Sequence, residues 1–160
     1  MTSIGLLPLV KLLADSPVGV YVRRSIRAVP VVADFHLLAW VVLIGVVLAT
    51  NLTACRAFLK RPTPTEVARA LWPYFWVSLA VAVVTGLTIM SSNAISYYYN
   101  PIFRTKMSLL LLAIILSSAV HRRLRSLAGA AVPRPWRIAA GINLGLWFGT
   151  LVAGRLVGLF

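Results

Sequence analysis

Acid is what this sequence has least of. Among its 160 residues only Asp15, Asp34 and Glu66 carry carboxylates, against 16 lysines and arginines, giving a formal charge of +13 and an isoelectric point near 11.5. Histidine occurs twice and cysteine once, at Cys55, so no internal disulfide can form. The chain has no HExxH, no CxxC, no phosphate-cradling glycine loop and no Ser/His/acid set on compatible faces. These absences give no support to an enzyme, and the protein is expected to be non-enzymatic. Charge is scarce overall: 12% of residues are charged, where a soluble domain has about a quarter.

What is abundant is hydrocarbon. Sixty per cent of the residues are hydrophobic and the mean hydropathy is +0.89, which places the chain among membrane proteins. Crossing about 30 Å of bilayer takes roughly 20 apolar residues in a helix. Four stretches are long enough, at about 29–50, 72–92, 102–120 and 136–160. The expected fold is therefore an all-α, up-down bundle of four transmembrane helices over 29–160, preceded by an interfacial arm over 1–28. In the arm, Ser16 suits an N-cap and Pro17 the first helical position. Val18, Val20, Tyr21 and Val22 could dip into the acyl boundary while Arg23, Arg24 and Arg27 reach phosphates. "MTSIGLLPLVK" lacks the basic start of a signal peptide, so the first span is expected to be retained.

Basic residues orient such a bundle. Arg56, Lys60, Arg61, Arg69, Arg122, Arg123, Arg125, Arg134 and Arg137 in loops one and three outnumber those on the opposite side. The positive-inside rule puts these loops in the cytoplasm and both termini in the periplasm. The same charge suits a bilayer rich in anionic lipid, and no basic patch lies on a soluble domain that could bind nucleic acid. Aromatic residues mark the span ends: Trp72, Tyr74, Phe75 and Trp76, the "YYY" at 97–99, and Trp136.

Against this background "ADFHLLAW" stands out, because an intramembrane acid or imidazole costs about 2.5–3.5 kcal/mol on insertion scales. Asp34 and His36 lie two residues apart, about 200° around a helix, and must point to nearly opposite faces. Gly45 shares the azimuth of Asp34, which suggests that Asp34 faces the bundle interior, paired with Lys106 or Arg155. His36 and Trp40 would then share an outward face or line a lateral groove. A haem b held by His36 and His121 is excluded by depth, since the two differ in height by about 15–20 Å. A haem b or copper site on His36 with Met107 or Met90 remains open, and His121 reads as an interfacial residue. In the fourth span, Gly141, Gly145 and Gly149 repeat every four residues, as do Gly154 and Gly158. Such a groove accepts another helix backbone, either within the fold or from another membrane subunit or a second copy.

The segments "SPVGVYVRRS", "VPVVADFHLLAW", "GVVLATNL" and "NPIFRTKMSLLLLAIILSSAVHR" together resemble an uncharacterised family of small four-span bacterial inner-membrane proteins. That family is itself similar to the membrane domain of copper resistance protein D. The recurrent features correspond here to Pro30, His36, Asn51, Pro73, Gly86, Asn100–Pro101, Phe103, Lys106 and His121. An acid is expected where Asn51 stands, so any role of that carboxylate does not carry over. The resemblance implies a bacterial inner-membrane protein and a connection to metal or haem handling, with no established activity. The leading expectation is an accessory or anchoring subunit of a larger inner-membrane complex, with a respiratory or redox complex among the candidates; the rival is a haem b or copper module using His36.

Overall fold

The computed structural model describes residues 7–55 and 62–158. Arg56, Lys60 and Arg61 of the first loop, and the extreme N-terminal residues, lie outside them. Among the described residues the chain is helical: α1 (Leu7–Asp15), α2 (Pro17–Arg24), α3 (Ala28–Ala54), α4 (Pro64–Ser92), α5 (Ala94–Tyr99), α6 (Pro101–Ser126) and α7 (Arg134–Val157). Four of these, α3, α4, α6 and α7, are long and apolar enough to cross a membrane, and the chain is a multi-pass membrane protein with an all-α bundle fold.

The long helices pack chiefly as two pairs, α3 with α4 and α6 with α7. Lesser contacts of α3 with α7 and of α4 with α6 close the ring, so that α3 lies diagonally across from α6. At the arm end, where α3 begins, α1 packs on α5 and α2 on α4. The opposite end, where α3 stops at Cys55, is called the Cys55 end. Large apolar side chains such as Phe35, Val41, Leu111, Ile115 and Phe148 are exposed on the outside, as a lipid-facing surface requires. A central core gathers Trp40, Leu43, Val46, Val47, Phe75, Leu79, Ala113 and Trp147.

Helix ends follow local chemistry. Ser16 caps α2 through a hydrogen bond from Gly19 N, with Pro17 at the first position, as expected. Arg23 donates back to the Ala14 carbonyl (2.6 Å) and joins α2 to α1. Val22, expected to dip into lipid, is instead buried within the protein because α2 packs on α4; Val18 and Tyr21 stay exposed. Asn100 caps α6, its side chain accepting from the amides of Ile102 and Phe103.

The spans run past their apolar limits. α4 starts at Pro64 rather than near residue 72, because Thr63 and Glu66 form a capping box ahead of Pro64. Pro73 then lies inside the helix, at the loss of one backbone hydrogen bond that membrane helices commonly tolerate. α6 continues to Ser126 through Arg122, Arg123 and Arg125. Thr65 secures its end: its hydroxyl donates to the Leu124 carbonyl (2.9 Å) and accepts from Gly129 N (3.2 Å). Along the spans Thr85, Thr88, Thr105, Ser118 and Thr150 return their hydroxyl protons to carbonyls four residues back. Polar atoms on apolar helices thus remain satisfied where water is absent.

Replacing Thr63 by Ala removes one side of the capping box and is expected to cost about 1 kcal/mol. A matching downward shift of the thermal midpoint, followed by circular dichroism in detergent, checks this; an unchanged midpoint would show that the box carries no weight.

Candidate functional site

The polar side chains of the bundle form two groups at different depths. Nearer the arm end, His36 lies between α3 and α4. Its Nε2 accepts from the Trp40 indole N–H (3.0 Å), which leaves the proton on Nδ1, facing Thr85 Oγ1 at 2.9 Å. Thr85 passes its own proton to the Val81 carbonyl. Both imidazole nitrogens are therefore engaged within the chain. Gly86 makes this possible: a Cβ there would stand 3.1 Å from His36 Cε1. Lys106 reaches in from α6, with Nζ 5.8 Å from the centroid of a Trp40 ring. Its stem crosses Gly154, where a Cβ would meet Cε and Nζ at 3.3 Å. A cation over an indole in a poorly hydrated place is worth up to about 2 kcal/mol.

Deeper in the bundle, α3, α6 and α7 are joined by a knot of neutral polar groups. Trp147 donates to Ser117 Oγ (2.9 Å), Asn143 Nδ2 lies 3.0 Å from that oxygen and 3.2 Å from Asn51 Oδ1, and Asn51 Nδ2 donates to the Val47 carbonyl (2.8 Å). All four side chains are buried. Towards the Cys55 end, His121 is also buried and stacks on Trp72, with centroids 3.6 Å apart and planes at 6°. Aromatic contacts link the two groups: Trp40 meets Trp147 edge-on at 5.9 Å, Trp147 meets Phe75 at 5.9 Å, and Phe75 stacks on Trp72 at 5.1 Å.

Several expectations change. Asp34 is exposed and His36 faces the bundle, the reverse of the anticipated faces. Among the described residues Asp34 makes no ion pair with Lys106 or Arg155. It lies six residues into α3, near the helix start. Arg155 is exposed as well. Met107 is exposed, and Met90 packs at the arm end against the Val10, Ala14 and Ala94 cluster, so neither methionine is a partner of His36. As it stands, His36 would have to surrender its Trp40 bond before Nε2 could hold haem iron or copper. Among the described residues no three His, Cys, Asp or Glu side chains gather as metal ligands. His121 is part of the core rather than interfacial, and Trp72 and Phe75 turn inward while Tyr74 and Trp76 face out.

Of the glycines in α7, Gly149 lies against Leu109 and Gly154 against Lys106, whereas at positions 141 and 145 nothing among the described residues lies within 4 Å of an added Cβ; Gly158, just past the helix, is exposed. The residues that reasoning from sequence passed over are Thr85, Ser117, Asn143 and Trp147. Their signal was available in part: Asn51, Ser117 and Asn143 are polar residues in three predominantly apolar spans.

At the Cys55 end α3 and α7 clasp each other. The Cys55 thiol donates to the Arg137 carbonyl (3.3 Å), and Arg137 Nη2 donates to the Cys55 carbonyl (3.1 Å). Burial pushes the thiol above its ordinary pKa, with the Arg137 charge opposing. Because the thiolate is the nucleophile, labelling with a maleimide should be slow at neutral pH and rise only above the range of a free cysteine. A rate–pH profile with its midpoint at or below that range would contradict this. The two tight glycines should also differ. His36 is held at both nitrogens, so Gly86→Ala forces a fixed ring to move. Lys106 can swing aside, and Gly154→Ala gains helix propensity of up to about 1 kcal/mol. The Gly86 variant should be the less stable by about 1–2 kcal/mol in thermal unfolding followed by tryptophan fluorescence; equal stabilities would sink the assignment.

No curated protein and no solved structure matches the chain. A model of a family of unknown function, DUF6644, matches residues 19–160. That range takes in α3, α4, α6 and α7 with both polar groups, and the chain belongs to this family.

Proposed function

We propose that the protein is a non-enzymatic subunit of a larger membrane assembly, docked through α7. The observation that carries this reading is the open backbone at Gly141 and Gly145, where no atom of the described residues lies within 4 Å of an added Cβ. Ile138, Gly141, Gly145 and Phe148 fall on one stripe of the helix, and Ile138, Ile142 and Phe148 are exposed. Lipid tails are as apolar as these side chains, so solvophobic burial gives little drive; close backbone approach at paired glycines supplies van der Waals contact that lipid fills poorly. The polar side chains inside the bundle support a structural role, since Asn51, Ser117, Asn143 and Trp147 bond one another. The occupant is a transmembrane helix of another subunit. The excess of basic residues in loops one and three supports a cytoplasmic Cys55 end in a bacterial inner membrane, with both termini periplasmic.

Photo-cross-linking from position 142 in intact membranes should yield an adduct with a different polypeptide, and Gly145→Ile should abolish it. An adduct of two copies of this chain would replace the subunit by a homo-oligomer, and no adduct with a monomeric native mass in mild detergent would overturn the reading. The absorption spectrum of the same preparation is expected to lack a Soret band; a band at stoichiometric haem would install His36 as a ligand instead. A membrane-impermeant maleimide, applied at raised pH, should label Cys55 only after the cells are permeabilised.

A further inference from the structure

One atom of the core is left without a partner. His121 Nε2 is buried and, among the described residues, makes no hydrogen bond. The residue is 3% exposed, and its ring is stacked on Trp72. An imidazole nitrogen shut away from water forfeits its hydration, a penalty that folded proteins rarely leave uncompensated. Beside this ring lies a cavity of about 20 Å³, walled by Thr50, Asn51, Trp72, Ser117, His121 and Asn143 among others. A cavity needs about 10–15 Å³ measured in this way to admit a water, together with two or more polar partners. The space is therefore adequate for one water and too small for an organic ligand.

The lining supplies the partners. Asn51 uses one amide proton on the Val47 carbonyl and one lone pair of Oδ1 on Asn143. A carboxamide offers two protons and two lone pairs, so one of each remains. Every polar lining group is neutral, apart from a histidine that can be so, and no acid is among them. We infer that one water molecule is a fixed part of the bundle, seated in this cavity between His121 Nε2 and the Asn51 carboxamide. Water can donate or accept, so it satisfies the imidazole in either tautomer and joins α6 to α3, which otherwise touch little. It extends the buried knot by one member and brings His121 into it.

The test is water-edited solid-state NMR on the nitrogen-15-labelled full chain in lipid bilayers. Polarisation is expected to pass from water to His121 Nε2 and to the Asn51 side-chain amide, at a depth where neighbouring backbone amides receive none. Asn51→Leu should fill the space and abolish the transfer to His121. Should that variant fail to fold, the unmodified protein still decides the matter: a resolved His121 Nε2 signal with no transfer from water overturns the inference. A crystal grown with bromide gives a second reading. Density for one light atom within hydrogen-bond distance of Nε2 supports water, whereas an anomalous bromide peak in the cavity, or an empty cavity, overturns it.

Discussion

The bundle depends on one small knot of hydrogen bonds in its interior. Burial drives soluble helices together, but inside a bilayer the alternative to a protein neighbour is equally apolar, so burial cannot choose the register of one helix against another. Directional contacts can. Trp147, Ser117, Asn143 and Asn51 bond across α7, α6 and α3. Each such bond is worth only about 0.6 kcal/mol on average in a membrane protein. Their importance is geometric: slide one helix by a turn and several buried polar atoms lose their partners together. With the knot in place, Trp147 falls beneath Trp40 and against Phe75, and Trp40 in turn fixes the tautomer of His36.

The ends of the helices are held by different means. Cys55 and Arg137 exchange bonds through each other's carbonyls, and Thr65 closes the last turn of α6 from the first turn of α4. These ties lie among charged and capping residues at the helix ends, where backbone acceptors still require donors. The centre of the molecule thus fixes register while its ends fix length.

Hydropathy made the four spans legible, because a 20-residue apolar run has few other readings. Their ends were less so: Thr65, Glu66 and Arg69 look like loop until Thr63 and Glu66 are recognised as a capping box. The 200° separation of Asp34 and His36 was also legible, and they do point apart. Which of them faces inward was not. Gly45, on the same helix as Asp34, suggested a close neighbour there, yet among the described residues nothing lies within 4 Å of an added Cβ; the glycine that matters is Gly86 on α4, which meets the His36 ring. Contacts of this kind depend on a partner helix, and single-helix periodicity contains no information about it. For the same reason Asn51, Ser117 and Asn143 could be noticed one by one but not assembled.

The contact between Trp40 and Trp147 has an electrical consequence. An indole can donate a hydrogen bond but has no lone pair to accept one. Trp40 points its N–H at His36 and Trp147 points its own at Ser117, so no hydrogen bond joins the two rings, which meet edge-on. Protons hop only along unbroken chains of donors that also accept. The paired indoles offer no such link between the His36 group and the Asn51 group. A proton moving between the two depths would need a route other than this contact.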